Sequence, residues 1–398
     1  MNSFHFAWRS LFRQPVRAAL AIAGVAAIGA LLFDMLLLSQ GMLISFRDLL
    51  DDGGFDIRIL ATPSTPISGP RMADAAATAA AVEALPEVDA VVPMRIGQAR
   101  IVGPDSVNLS LIGAVTSRRD AWTVVEGVDL DDLIGNDDPP MVINRNIAEE
   151  LTLAPGGTVT IRSECTERYS VLPTVDFVVS GIAEFPFDPV TQMTAAVAMP
   201  DFDRACGSVM DEADVFLVAT RAGEYPEMAV AAIQRLRPDL HAYSNDQLVD
   251  RFQQVGFSYF RQISTVLATI TLFFAFLLIS VLLTVSVNQR FAEIAALRAL
   301  GFSRRRIAGD LLWESILMVG TGGLLALPLG LVLAIWLDRI LKAMPGIPSD
   351  LHFFVLYPAA VILHVALLAA AGALAAAYPV FLASKLPMAS TLRNEVVG

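Results

Sequence analysis

Charged residues are scarce in this 398-residue sequence. Asp, Glu, Lys and Arg together make up 17% of it, whereas 55% of the residues are hydrophobic. A soluble domain usually carries about 25% charged residues. The deficit comes from four long apolar runs separated by ordinary polar sequence, and this pattern indicates an integral membrane protein rather than a soluble one.

The motifs of nucleotide-binding proteins and of common hydrolases are also missing. Lysine occurs only at Lys342 and Lys385, neither of them in a glycine-rich turn, and there is no G-x-x-x-x-G-K-[ST] phosphate loop. The four histidines show no metal-ligand spacing, and neither H-E-x-x-H nor G-x-S-x-G occurs. We therefore expect this chain to be no enzyme and to hold no metal or cofactor of its own.

Cysteine occurs only twice, at Cys165 and Cys206. The two residues can form a disulfide if their segment lies in an oxidising compartment such as the bacterial periplasm. Two separate thiols are an equal alternative, because pairing cannot be read from the sequence.

Four apolar runs are each long enough to cross a hydrocarbon core of about 30 Å, which takes roughly 20 helical residues. They occupy residues 16–40, 263–287, 316–337 and 353–382. A cleaved signal peptide is an alternative for the first run. Its apolar stretch is longer than the usual 7–15 residues, roughly, which favours a retained helix.

Basic residues collect in three short segments, 1–15, 288–315 and 383–398, that fall on one side of four threaded helices. The positive-inside rule makes that side cytoplasmic. We expect a multi-pass protein of the bacterial inner membrane, with both termini in the cytoplasm, a large outer segment at 41–262 and a short outer loop at 338–352.

The outer segment is acidic: residues 41–262 contain 33 Asp and Glu against 16 Arg and no Lys. This balance argues against nucleic-acid binding. Short runs rich in β-branched residues alternate with helical patterns and predict a mixed α/β domain. Proline-free helices at 41–51 and 245–262 are predicted to continue the membrane helices as a stalk, and two ordinary surface helices are the alternative.

Asp34 lies inside the first apolar run. An ionisable residue at membrane depth is a candidate functional residue, and in that case we expect it to line a cavity between two protomers. The alternative is a hydrated carboxylate close to the outer interface.

Residues 290–315, RFAEIAALRALGFSRRRIAGDLLWES, join the second and third apolar runs. Gly301 is suited to end a first helix, and Ser303 is suited to cap a second helix beginning at Arg304. An amphipathic helix here can fill a groove on a motor subunit or lie on anionic lipid. The residues themselves do not favour either the motor subunit or the lipid surface as the binding partner.

This segment resembles the signature of the MacB/FtsX-like permease family of ABC transporters, in which E-I-A-x-L-R-A-L-G precedes basic residues. The N-terminal FHFAWRSLFRQPVRAAL resembles the family's opening, and LPEVDAVVP and VINRNIAEELTLAPGGTVTI are similar to its periplasmic core. The C-terminal exit with Pro379, Pro387, Leu392 and Arg393 is also similar. The resemblance covers nearly the whole chain, in the right order.

The resemblance implies an α-helical membrane protein with four transmembrane helices and a large α/β extracytoplasmic domain inserted between helices 1 and 2. It implies an FtsX-like permease domain at 263–390, a second permease protomer, identical or not, and a separate cytoplasmic ATPase subunit that binds ATP and Mg. The residues implied to contact that ATPase are Glu293, Ile294, Leu297, Arg298, Gly301, Arg304 and Arg305.

The function expected from the resemblance is ATP-driven export or extraction of a lipid, lipoprotein or other amphipathic substrate, with membrane lipid and a periplasmic membrane-fusion protein as further candidate partners. An FtsX-like relay that activates a cell-wall hydrolase is the alternative. A membrane scaffold without an ATPase is disfavoured by the coupling segment.

Overall fold

The computed structural model describes residues 5, 9, 15–63, 70–103, 106–115, 121–130, 139–165, 172–207, 211–255, 258–289, 303–344 and 346–385. The chain divides into two compact units. The membrane unit comprises Met1–Met42, Phe257–Ile340 and His352–Gly398, and the outer unit comprises Leu43–Gly256 and Leu341–Leu351.

Four long helices carry the apolar runs: α1 (Pro15–Asp52), α7 (Ser258–Gln289), α8 (Arg304–Lys342) and α9 (Pro358–Lys385). Each is long and apolar enough to span a membrane, as the sequence predicts. Helix α8 begins at the predicted Arg304. Helix α9 begins later than the predicted residue 353, at Pro358, because proline suits the first turn of a helix and resists positions further inside it.

The outer unit is the predicted mixed α/β domain. Its strands are β1 (Ile57–Leu60), β2 (Met72–Ala73), β3 (Val88–Ile101), β4 (Asn108–Ala114), β5 (Thr123–Gly127), β6 (Pro140–Asn144), β7 (Thr158–Ser163), β8 (Thr174–Glu184), β9 (Thr194–Ala198), β10 (Glu212–Ala213), β11 (Val215–Thr220) and β12 (His241–Ser244). Its helices are α2 (Ala75–Glu83), α3 (Arg145–Glu150), α4 (Met199–Cys206), α5 (Pro226–Leu236) and α6 (Asn245–Val255).

Six of these strands form a closed circuit of hydrogen bonds, β3-β4-β9-β6-β8-β7, because β7 pairs with both β8 and β3. Alternate residues of a strand point to opposite faces, so every strand sends apolar side chains to one enclosed core. Leu111, Ile143, Ile161, Phe177 and Val197 are fully or almost fully buried in it. The circuit is a small barrel filled by its own side chains.

Strand β3 continues beyond the barrel into a second layer, with order β12-β1-β11-β3. Helices α2 and α5 cover it, placing Val82 and Ile233 against Ile57, Ile59 and Val218 in a common apolar cluster. Strand β1 follows directly after α1, and α6 follows directly after β12. The two predicted stalk segments therefore enter and leave the outer unit through neighbouring strands.

The stalk stays a prediction, and the structure gives the bounds of the helices in its two segments. Helix α1 continues without a break to Asp52. The second predicted stalk helix, 245–262, is divided between α6, which ends at Val255, and α7, which begins at Ser258. Residues 256–257 lie outside the described residues, and so does the predicted continuity between these helices.

Candidate functional site

The residues of the predicted ATPase contact are described only from the start of α8 onward. Residues 290–302 fall outside the described residues, and with them Glu293, Ile294, Leu297, Arg298 and Gly301. Arg304 and Arg305 are the first two residues of α8. The backbone oxygen of Ser303 accepts a hydrogen bond from the amide of Arg306 at 3.1 Å, which fits the predicted helix start. The assignment of all seven residues to an ATPase contact stays a prediction.

Small residues on α8 let α1 approach closely. A Cβ added to Gly322 would lie 2.7 Å from the Val25 side chain, and one added to Gly330 would lie 3.0 Å from Phe33. From the opposite helix, a Cβ on Gly29 would meet Ala326 at 2.8 Å. The stripe of small residues on α8 is thus a packing surface within one protomer, of the kind found between membrane helices.

The corresponding stripe on α9 has a different environment. Ala369, Ala373 and Ala377 are exposed in the protomer. Ala369 and Ala373 border a groove of about 340 Å³ between α8 and α9 whose lining also includes Gly320, Gly323 and His364. This stripe is free for contact with lipid or protein.

Asp34 is completely buried within the membrane unit, with 0% of its surface exposed. Neither carboxylate oxygen has a hydrogen-bond partner among the described residues. Both sequence interpretations, a cavity-lining carboxylate and a hydrated one, require exposure that the protomer in this conformation does not give. A cavity role for Asp34 stays a prediction.

His364 is a second fully buried polar residue in the membrane unit. Its Nε2 lies 3.4 Å from the backbone oxygen of Gly323, and its ring packs edge-on against Phe33 with centroids 5.3 Å apart. The side chain thus joins α9 to α8 and α1.

The stalk helices α1 and α6 pack against each other inside the outer unit. The Phe46 and Phe252 rings meet edge-on with centroids 4.7 Å apart, and Leu50, Leu248 and Val249 form a buried cluster beside them. Aromatic pairs of this geometry contribute about 0.5–1.5 kcal/mol beyond their buried area. The two segments are therefore one packed pair rather than two separate surface helices.

Asn245, the first residue of α6, fixes this pair to the sheet. Its Nδ2 donates to Asp51 Oδ1 at 2.8 Å and to the Phe55 oxygen at 3.1 Å, and its Oδ1 accepts a hydrogen bond from Arg58. Burial lowers the pKa of Arg58 to about 10, although Asp51 and Asp56 oppose this shift. The guanidinium therefore stays charged at neutral pH.

The hydrogen bonds of Asn245 could not be predicted from the sequence, but the helix start beside it has a local signal. Ser244 and Gln247 form a reciprocal capping box: the Gln247 amide donates to Ser244 Oγ, and the Ser244 amide donates to Gln247 Oε1, both at 3.3 Å. Serine followed three residues later by glutamine marks a helix start. It agrees with the start at residue 245 that the sequence predicts for this helix.

The two cysteines are bonded to each other: the structure joins Cys165, just after β7, to Cys206 at the end of α4. Of the two alternatives left open by the sequence, the structure has the disulfide. The disulfide ties α4 to the barrel beside Phe202. The Phe202 ring packs so closely on Gly113 that a Cβ added to Gly113 would lie 2.5 Å from it.

Two family models match the chain. The MacB-like periplasmic core domain matches residues 18–236, which is more than half of the chain. The FtsX-like permease C-terminal domain matches residues 265–388, which include the predicted coupling segment. A search of the curated proteins found no match.

Solved structures also match about half of the chain. The periplasmic region of MacB from Actinobacillus actinomycetemcomitans is 12% identical, with a TM-score of 0.39, covering 52% of this chain and 98% of that one. The extracellular domain of the noncanonic ABC-type transporter YknZ from Gram-positive bacteria is 13% identical, with a TM-score of 0.35, covering 47% and 98%. The assignment rests on the family models, on four membrane helices, and on an α/β domain inserted between the first two: the chain belongs to the MacB/FtsX-like family of ABC transporter permeases.

Proposed function

We propose that this chain couples ATP hydrolysis by a separate cytoplasmic ATPase to movement of its outer unit, for export or extraction of a lipid, lipoprotein or other amphipathic substrate. The observation that carries the proposal is the FtsX-like match across residues 265–388, which spans both helices flanking the coupling segment. A polypeptide that works this way needs a contact for the motor and rigid elements that lead outward. Helices α1 and α8 are such elements.

In the proposed cycle, ATP draws two ATPase subunits together, and each moves the coupling segment of one of two permease protomers. The helices then shift as packed bodies between two arrangements. The family's permeases work with ATPase subunits. A second protomer, an inner-membrane location with cytoplasmic termini, and a membrane-fusion protein belong to the proposal.

The first test is co-purification of the tagged chain in detergent, with mass spectrometry of the proteins and lipids that accompany it. We expect an ATPase subunit in about equal amount. A co-purifying lipid or lipoprotein supports extraction, whereas a cell-wall hydrolase in its place supports the FtsX-like relay. A chain that emerges alone and binds no added ATPase contradicts the coupling proposal.

The residue-level test reverses two charges, Arg298→Glu and Arg304→Glu. Hydrogen bonds to charged groups are worth about 1.5–3 kcal/mol each, so we expect ATPase affinity to fall by at least about a hundredfold, measured as the ATPase concentration needed for half-maximal capture. Arg339→Glu is the matched control, because this exposed arginine lies near the other end of α8. Full capture by the double variant would disprove the assignment.

A further inference from the structure

The loop between α8 and α9 belongs to the outer unit. Residues Leu341–Leu351 group with the barrel domain and not with the membrane helices that precede and follow them. We call this segment the strap. The outer unit is therefore joined covalently to the outer ends of all four membrane helices, and not only to α1 and α7, between which it is inserted.

The strap binds the outer unit through the backbone and through the side chain of Ser349, whose hydroxyl donates to the backbone oxygen of Asp188 at 3.4 Å. The Ser349 amide donates to the backbone oxygen of Asp188 at 3.0 Å, and Pro348 forms an antiparallel bridge with Pro189. On its other side, the hydroxyl of Ser45 on α1 lies 3.5 Å from the Asp350 oxygen. The strap is thus held between the barrel and the stalk.

The barrel loop that receives the strap is held firmly. The Asp188 carboxylate accepts hydrogen bonds from the Thr194 hydroxyl at 2.7 Å and from Asn144 Nδ2 at 2.8 Å. Asn144 Nδ2 also donates to the Gln192 oxygen at 2.7 Å, and Asn146 donates to the same oxygen at 2.7 Å. Because Thr194 begins β9 and Asn144 ends β6, the receiving loop is fixed to two central barrel strands.

The strap is also the direct continuation of the helix that follows the coupling segment. Helix α8 runs for 39 residues from Arg304 to Lys342, a length of about 58 Å at about 1.5 Å per residue. One helix thus begins at the predicted ATPase contact and ends in a loop that is hydrogen-bonded to the barrel.

We infer that the strap transmits movement from α8 to the outer unit through Ser349 and Asp188, as a second connection beside the stalk. This inference rests on the proposed function for the source of the movement, but the attachment itself does not. Ser349 and Asp188 are positioning residues. They hold the strap on the barrel, so that an axial or tilting movement of α8 is passed to β6 and β9.

The test compares Ser349→Pro with Ser349→Ala in the full-length chain bound to its ATPase. Proline has no amide hydrogen and favours an extended conformation at the preceding Pro348. Ser349→Pro therefore removes the amide bond to Asp188, which is one of the hydrogen bonds of the bridge between Pro348 and Pro189. Ser349→Ala keeps the amide. One lost hydrogen bond changes an opening equilibrium by about three- to tenfold.

Hydrogen exchange of peptides covering 185–193 and 346–353 is the readout. In Ser349→Pro we expect both peptides to exchange about three- to tenfold faster, and the response of 185–193 to ATP to be lost while the ATPase still co-purifies. Ser349→Ala loses only the longer hydroxyl contact at 3.4 Å and keeps the amide bond, so both peptides should exchange more slowly than in Ser349→Pro. Equal exchange in the two variants would contradict the inference that the Ser349 amide holds the strap on the barrel. Failure of the wild type to bind an ATPase overturns the proposed function, yet leaves this comparison informative.

A rescue experiment guards against simple unfolding. Opposed residues in an antiparallel bridge have Cα atoms about 4.5–5.5 Å apart, within the range of a disulfide. Adding Pro189→Cys and Pro348→Cys to Ser349→Pro should therefore restore the ATP response of 185–193 after mild oxidation. Ser349→Pro alone, oxidised in the same way, controls for the native Cys165–Cys206 bond. A cross-link that forms without restoring the response contradicts transmission through the strap.

Discussion

At the scale of a single residue, Asp188 connects the strap to the barrel. Two opposing effects shift the pKa of its carboxyl group. Burial raises its pKa above the ordinary value of 3.8, whereas the hydrogen bonds from Thr194 and Asn144 lower it, and burial is the larger effect. The folded protein therefore binds this proton more tightly than the unfolded chain does. Ionisation of Asp188 costs stability.

The sign of this linkage gives a prediction for Asp188→Asn. Relative to this uncharged variant, the wild type has its full stability below pH 3.8 and loses stability as the pH rises through the raised pKa. As the pH rises through this range, we expect the apparent Tm of Asp188→Asn to rise relative to that of the wild type, measured on the full chain in detergent. Asn can still accept one hydrogen bond and donate another to Thr194.

Asp176→Asn is the matched control for Asp188→Asn. Asp176 also accepts a hydrogen bond from a threonine hydroxyl, that of Thr160 at 2.6 Å, but on an exposed part of the barrel. The control removes the same unit of charge from the same domain. A difference in Tm that is independent of pH, or equal in both variants, would show that burial of Asp188 does not govern its ionisation.

The hydrogen-bond partners of polar residues such as Asp188 and Asn144 could be predicted from the sequence only in part. Asn144 could be read as a helix N-cap, since its Oδ1 accepts from the Ile147 amide at 3.1 Å. Its other partners, Asp188 and Gln192, are more than 40 residues away. Such contacts depend on the strand order of the barrel, which no local pattern encodes.

At the scale of elements, the contact between α1 and α8 gives the sharpest prediction. Gly322→Ala would place a Cβ 2.7 Å from Val25 and 3.1 Å from the Ile22 oxygen, and overpacking of this kind typically costs about 1–3 kcal/mol. We expect a lower apparent Tm in detergent. Gly320→Ala, two residues earlier on α8, has no atom within 4 Å of the added Cβ.

Gly320→Ala should leave the Tm unchanged or raise it, because alanine favours a helix over glycine by up to about 1 kcal/mol. Equal losses of stability in both variants would attribute the effect to helix propensity rather than to packing. The position of the small-residue stripe was predictable from its spacing. Whether it packs within a protomer or between protomers was not, because spacing does not identify the partner.

Some strands could likewise be predicted from the sequence, and others could not. Runs rich in β-branched residues, such as β1 and β7, were predictable. Strand β9 was not, because its sequence TAAVA is mostly alanine, a residue depleted in strands. It forms a strand because it lies between β4 and β6 in the barrel, where small buried side chains fit. Tertiary context overrides local preference here.

At the scale of the whole molecule, the long apolar runs and the order of domains followed from the sequence, because crossing a bilayer imposes a length and a composition that no other environment imposes. The strap did not follow from it. A short polar loop between two apolar runs has the same appearance whether it lies free in solvent or binds a residue 161 positions earlier, as Ser349 binds Asp188.

A molecule that transmits movement needs segments that move as one body, and the stalk can be tested for this property. Arg47 and Asp246 form an ion pair of 2.6 Å between α1 and α6, with both side chains at least half exposed. Replacing both by cysteine allows a short bifunctional thiol reagent to join the helices. Cys165 and Cys206 are already bonded to each other and do not compete for the reagent.

We expect the joined stalk to leave the ATPase activity of the complex within about twofold of the unjoined double variant. Burial of Leu50, Leu248 and Val249 and the hydrogen bonds of Asn245 already hold the two helices together, and burying such an aliphatic side chain is worth about 1.5–3 kcal/mol. Loss of activity on joining, restored by a cleavable reagent, would mean that α1 slides against α6 during the cycle. The stalk would then be a moving joint, and the strap would be the firmer of the two connections to the outer unit.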